Sequence, residues 1–336
     1  STSDQNPPDS PAGRDWTPSD WRAAPTSQQP VYQDPEALAK AVASLRRLPP
    51  LVTSWEIDRL KRQVAEAVDG RRFLLQGGDC AERFDECASE PIAARLKILL
   101  QMSLVLAHGG RRRVIRVGRF AGQYAKPRSA STETRDGVEL PTYRGDNVNA
   151  PAFNAADRAA DPGRLIEGHA RSALTLNFIR ALIDGGFADL HHPEYWDLDF
   201  ASHSPRGGEY QAMVESIGEA LRFMESLAGK QVGEMSQVDF FSSHEALLLE
   251  YEEALTRQVP HRPGWWNLAT HFPWIGLRTA DPDGGHVAYF SGIRNPIGVK
   301  VGPGMSVEQL VALVERLDPD REVGRLTLIH RFGHAG

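Results

Sequence analysis

Six short apolar runs separated by helical stretches constrain this chain more than any other feature of its sequence. The runs are Phe73 to Leu75, Val114 to Phe120, Val238 to Phe241, His271 to Ile275, Ile297 to Val301 and Leu326 to Ile329. Helical periodicity occupies Pro91 to Leu106, Leu165 to Ile183, Tyr210 to Leu227 and Glu245 to Leu255. A further helix is capped by Ser306 with Gln309 and ends near Leu317. Short strands joined by helices favour a parallel α/β arrangement, which leaves a β/α barrel or a doubly wound sheet. Outside Tyr210 to Leu227, residues 187–236 carry no clear pattern, and the chain shows no internal repeat.

Upstream of the alternation, Asp34 is a helix N-cap candidate followed by Pro35 at the first helical position. After the Leu48-Pro49-Pro50 break, Ser54 can cap a second helix on which Ile57, Leu60, Val64 and Val68 recur at helical spacing. Residues 1–33 are too polar and proline-rich to pack independently and read as a flexible arm, leaving 34–336 as one domain. No apolar run approaches the roughly 18 residues that span a bilayer, and the N-terminus has no apolar signal region. The net charge of -6 argues against general nucleic-acid binding. Cys80 and Cys87 are the two cysteines, too few for a disulfide framework, which fits a reducing cytoplasm.

Polar residues gather where the proposed strands end. Cys80 follows the first, Arg119 ends the second, Glu245 follows the third, Arg278 follows the fourth, Lys300 lies in the fifth and Arg331 closes the sixth. In a β/α barrel these ends share one face, where loops build the active site. Four cations meeting there would hold a small molecule with more than one anionic group, because guanidinium forks match carboxylate and phosphate oxygens. A single Arg or Lys after a strand is more often solvated, and a lone Cys more often a small core residue. Lys300 is harder to dismiss, because a charge between Val299 and Val301 needs a partner or a ligand. His244, His271 and His286 lack metal-ligand spacing, and Trp265, Trp266 and Trp274 read as packing residues. Spacing alone supports an anion-binding α/β protein.

The same residues sit in longer motifs. They are Leu74-Leu75-Gln76-Gly77-Gly78-Asp79-Cys80-Ala81-Glu82, Gly118-Arg119-Phe120-Ala121-Gly122-Gln123-Tyr124-Ala125-Lys126-Pro127-Arg128-Ser129, and Tyr143-Arg144-Gly145-Asp146 with Asn149. Next come Ser243-His244-Glu245-Ala246 and Asn295-Pro296-Ile297-Gly298-Val299-Lys300-Val301-Gly302-Pro303, then Gly324-Arg325-Leu326-Thr327-Leu328-Ile329 followed by Arg331. In content and order they resemble the type II (plant-like) 3-deoxy-D-arabino-heptulosonate 7-phosphate (DAHP) synthases, over nearly everything from residue 35 onward.

The resemblance implies a cytoplasmic transferase on a (β/α)8 TIM barrel with an N-terminal extension. It would condense phosphoenolpyruvate with erythrose 4-phosphate in the shikimate pathway or a specialised branch from it. It assigns Arg119, Lys126, Arg278, Lys300 and Arg331 to phosphoenolpyruvate, and the Lys126 to Ser129 loop, with Arg128 and Ser129, to erythrose 4-phosphate. Glu245 becomes an acidic residue of the site beside Lys300 and Arg119. Cys80 becomes a ligand of a divalent metal, manganese or cobalt, acting as Lewis acid on the aldehyde oxygen. A homodimer or larger assembly, and association with chorismate mutase, are further implications.

Two departures from the family pattern stand out. Leu277 occupies a position where the pattern has an acidic residue before Arg278. The chain also reaches Gly336 before the segment whose His, Glu and Asp complete the family's metal site. It is therefore expected to lack the last two barrel strands, as a piece of a longer enzyme. The alternative is a non-catalytic or repurposed homologue that binds phosphoenolpyruvate-like anions or a protein partner.

Overall fold

The computed structural model describes residues 16–185, 203–228, 239–331 and 333. The first half runs α1 (Pro35–Arg47), α2 (Ser54–Val68), β1 (Arg72–Gly77), α3 (Ser89–Gly110), β2 (Arg113–Gly118), β3 (Thr132–Arg135), β4 (Val138–Pro141), α4 (Ala155–Arg158) and α5 (Gly163–Asp184). After it come α6 (Gly207–Ala228), β5 (Phe241–Glu245), α7 (Leu249–Ala254), β6 (Thr256–Val259), β7 (Arg262–Asn267), β8 (Phe272–Ile275), α8 (Gly285–Phe290), β9 (Ile297–Val301), α9 (Val307–Leu317) and β10 (Leu326–His330). The main sheet orders six strands β1-β2-β5-β8-β9-β10, every neighbouring pair parallel, and curls as a half-barrel. The pairs β3-β4 and β6-β7 form separate antiparallel hairpins, which the sequence reading did not anticipate.

Strand periodicity explains why the charged residues meet. Alternate residues face one side of a sheet, and the parallel register matches Leu74 with Ile115, Gln76 with Val117, Glu245 with Trp274, Trp274 with Gly298, and Lys300 with Ile329. Along that face the residues change from apolar to polar. At the amino ends Ile115, Val117, Phe241 and Phe272 pack with Leu60 and Val64 of α2. Two residues beyond Val117, Phe241, Phe272, Gly298 and Ile329 stand Arg119, Ser243, Trp274, Lys300 and Arg331, with Glu245 two beyond Ser243. The opposite face packs against helices: Val114 and Leu75 with Leu96, Leu99 and Leu100 of α3, and Ile297 and Val299 with Leu313 and Leu317 of α9. One face is thus plugged at its amino end and polar at its carboxyl end.

Several expectations are corrected. The third strand is Phe241–Glu245 rather than Val238 to Phe241, and Val238 lies outside the described residues. Ser242 and Ser243 are polar yet fully buried, their hydroxyls bonded to Thr270 and to the Phe272 carbonyl, so hydrophobicity hid this strand. Glu245 is consequently its last residue, and the helix begins at Leu249. Thr53, not Ser54, caps α2, in a capping box with Glu56, while Asp34 caps α1 and Ser306 caps α9 as expected.

The arm expected through residue 33 is packed from Trp16 onward. Trp21 is buried in the cluster of Tyr289 and Phe290 and donates to Glu253 at 2.9 Å, and the Trp16 indole donates to the Ala288 carbonyl. Local polarity gave no hint of contacts made more than 200 residues away. Helix α3 also revises an expectation, since over its 22 residues it is long and apolar enough to cross a bilayer. Ile92, Leu96, Leu99, Leu100 and Leu104 are buried against the sheet, while Ile98, Met102 and Val105 of the same helix are exposed.

Candidate active site

At the carboxyl ends of the strands the inward-facing groups form one constellation. The Trp274 indole lies buried at its centre, with Lys300 Nζ 4.1 Å and the Arg119 guanidinium carbon 4.9 Å from its ring centroid. Both distances fit cation–π contacts, so Trp274 supports the two cations and is more than a packing residue. Gly298, in register with Trp274, leaves room for it: a Cβ there would lie 3.0 Å from the Trp274 Cβ. Glu245 stands in the adjacent strand, and Gly276 leaves room for its carboxylate, since a Cβ at that position would displace Oε1 of Glu245.

Burial sets the electrostatics. It pushes the Glu245 carboxyl up to about 7, against the attraction of Lys300, Arg119, Arg278 and His244. Burial likewise pushes Lys300 and Arg119 down, partly offset by Glu245 and Cys80, with Arg331 adding to the depression of both. Arg119 Nε, Glu245 Oε1 and the Trp274 indole nitrogen are buried without a hydrogen-bond partner. Buried polar atoms are normally paired, so three orphans in one mouth mark a place shaped for a polar ligand.

A second group adjoins the first. Arg278 donates to the Ser129 hydroxyl at 2.7 Å, and its charge reaches Glu245. Arg128 is held through its backbone by Gln28, and the Lys126 amide donates to the Arg144 carbonyl at 3.0 Å. Arg119, Glu245, Lys300, Arg331 and Cys80 therefore interact directly or electrostatically. Arg278 and Ser129 are joined beside them by a hydrogen bond, whereas Arg128 and Lys126 are fixed by their backbones.

The loop after β2 is held by residues that sequence reading left without a role. The Glu82 carboxylate accepts from the amides of Ala121, Gly122 and Gln123 at 2.8–3.0 Å. Ala121 adopts φ +62 and Gly122 φ +152, so this turn needs external support. Gln123 in turn accepts the Glu245 amide at 2.8 Å, which couples the loop to β5. An acid two residues after Cys80 gave the only sequence signal. Burial raises the Glu82 carboxyl, outweighing these hydrogen bonds. Replacing Glu82 with Ala leaves three donors unpaired and is expected to cost about 3 kcal/mol in chemical denaturation. Glu82→Gln, which keeps one acceptor oxygen, is expected to lose less.

His244 pairs with Glu252 at 2.8 Å, His271 with the Ser242 amide and His286 with the Leu247 carbonyl, as buried structural histidines. Cys80 is exposed at the end of the first strand. Among the described residues no three His, Cys, Asp or Glu side chains meet as a metal cluster. A transition-metal site needs three or four such donors, so the described residues do not by themselves fit one. Leu277 is 47% exposed at the rim and packs over Gly302.

Comparison with known proteins identifies the family. The family model described as the class-II DAHP synthetase family, whose members are generally metal-dependent, matches residues 16–336. A Streptomyces coelicolor protein named phospho-2-dehydro-3-deoxyheptonate aldolase is 49% identical over 313 residues, 93% of this chain and 69% of its own length. A Neurospora crassa protein of the same name is 45% identical over 345 aligned residues, 98% of this chain and 71% of its own. Both the extent of the family match and the level of identity are decisive: the chain belongs to the class-II DAHP synthetase family.

Proposed function

We propose that this chain condenses phosphoenolpyruvate with erythrose 4-phosphate, giving DAHP and inorganic phosphate at the entry to the shikimate pathway. The observation that carries this reading is the placement of Arg119 and Lys300, from two strands, against one Trp274 ring, with Glu245 and Arg331 in electrostatic reach. Such a pocket suits a compact molecule with a carboxylate and a phosphate. The names of the relatives support the reaction, and the curled parallel sheet supports a (β/α)8 barrel as the complete fold.

In the reaction, the methylene carbon of phosphoenolpyruvate attacks the aldehyde carbon of the sugar phosphate, forming the new carbon–carbon bond. The carbonyl π electrons pass to the aldehyde oxygen, which takes up the proton lost when water adds. Water adds to the resulting cationic centre, and the carbon–oxygen bond to phosphate breaks. Arg119 and Lys300, with Arg278, Arg331 and Lys126, hold the carboxylate and phosphate and stabilise charge developing on them. Arg128 and Ser129 meet the sugar phosphate. Glu245, near neutrality in its proton affinity, is the pocket's group able to hold or release a proton at physiological pH. Cys80 offers one donor to a divalent metal, manganese or cobalt, and every role above is carried by protein side chains.

Phosphate release should require both substrates and added manganese or cobalt, and a chelator should abolish it, with Cys80→Ser demanding more metal. Release from phosphoenolpyruvate without the sugar phosphate, or none at any metal concentration, would contradict the proposal. Leu277 favours the binding-only alternative, because its rim position carries no carboxylate. In that case phosphoenolpyruvate raises the melting temperature without turnover, and Leu277→Glu separates the readings by restoring activity or failing to.

A further inference from the structure

The segment before the first helix is bonded to the loops that follow three different sheet strands. The Ser27 hydroxyl donates to the Arg278 carbonyl after β8. Gln29 donates through its side chain to the Leu247 carbonyl at 2.7 Å and accepts the Leu249 amide at 3.1 Å, both after β5. Gln28 makes the most specific contact. Its side-chain amide accepts from Arg128 N at 2.9 Å and donates to Arg128 O at 3.0 Å, a reciprocal pair made by one side chain to one backbone residue after β2.

Gln28 is also held from below. The Arg144 guanidinium donates to the carbonyls of Gln28 and Gln29, and the Arg144 carbonyl accepts the Lys126 amide. Gln28 has φ +62, a conformation that non-glycine residues rarely adopt. The segment is anchored further back by Trp21 on Glu253 and by the Pro25 carbonyl, which accepts the Gly285 amide at 2.8 Å. A strained backbone fixed at both ends thus presents one amide to the loop that carries Arg128 and Ser129.

From this geometry we infer that Gln28 is a positioning residue for the sugar-phosphate half of the site, setting where Arg128 and Ser129 stand without touching substrate. The inference rests on the reaction proposed above. It makes the N-terminal strap a determinant of affinity for the phosphorylated aldehyde, reaching phosphoenolpyruvate only weakly, through the Arg278–Ser129 hydrogen bond, while Arg119 and Lys300 keep their own contacts with Trp274.

The test uses the full chain with Gln28→Ala and Gln28→Gly. Both remove the amide, and Gly also relieves the φ +62 strain. Both variants are expected to raise KM for erythrose 4-phosphate about tenfold, with kcat and KM for phosphoenolpyruvate within about twofold of wild type. Hydrogen exchange of the segment containing Arg128 should accelerate in both, even in the variant whose melting temperature Gly preserves. An unchanged KM for erythrose 4-phosphate in an active enzyme would overturn the inference. So would a general decline in kcat and both KM values that Gly rescues along with stability, because that pattern marks a structural role only. A wild-type protein without turnover would refute the proposed reaction. Hydrogen exchange would then decide the clamp alone, acceleration upholding it and unchanged exchange overturning it.

Discussion

Lys300→Met is expected to lower kcat/KM for phosphoenolpyruvate by about a thousandfold or more, roughly 4 kcal/mol of transition-state stabilisation. Lys300 projects from β9 onto Trp274, and its charge is held in a partly desolvated mouth by the attraction of Glu245. A cation in such a place acts on substrate charge with little solvent screening. Methionine keeps the length of the stem and its contact with the indole while deleting the charge, so folding should survive. Burial disfavours the charge in the free protein, so the variant should unfold at the same denaturant concentration as wild type, or a higher one. Steady-state kinetics and a denaturation curve check both halves. A fall in kcat/KM of less than about tenfold would show that the anion is held elsewhere.

Glu245→Gln should produce a comparably clear result with opposite signs for activity and stability. The expected fall in kcat is about a hundredfold or more, the usual scale for a proton-transferring group. Folding raises the carboxyl from 4.5 to about 7, so the folded state binds this proton more tightly than the unfolded chain. The corresponding stability is fully present below about pH 4.5 and is lost as pH rises through about 7. The difference amounts to roughly 3 kcal/mol. Glutamine carries no charge at any pH. The variant should therefore match wild type near pH 4.5 and melt several degrees higher at pH 8. Thermal unfolding at the two pH values checks the prediction, and equal melting temperatures at pH 8 would contradict it.

Much of this site was legible because strand geometry is simple. Once β2, β8, β9 and β10 are recognised as strands, a period of two carries Arg119, Trp274, Lys300 and Arg331 to the same face. Lys300 announced itself as a charge inside an apolar run. Other parts were hidden for physical reasons. β5 is buried yet contains Ser242 and Ser243, whose polarity is satisfied by partners far away in sequence. Trp274 resembled a core residue because its indole is buried, and only the folded register shows which cations lie over it. Glu82 and Gln123 accept backbone amides, a role for which the sequence offers no more than an acid two residues after Cys80. The strap was concealed by its own composition, since its order comes from Trp16 and Trp21 docking on the far end of the chain.

The curled parallel sheet also explains why so acidic a protein can hold an anionic substrate. The net charge of -6 is spread over the whole chain, whereas the strand ends concentrate Arg119, Lys300 and Arg331 in one mouth. Local field, not global charge, governs a ligand of this size.

The most direct measurement is a crystal structure of the protein with phosphoenolpyruvate bound. Its carboxylate and phosphate are predicted to lie beside Trp274, within hydrogen-bond reach of Arg119 and Lys300, with Arg119 Nε and Glu245 Oε1 gaining polar partners. Phosphoenolpyruvate bound away from Trp274, with Arg119 and Lys300 turned from it, would contradict the account.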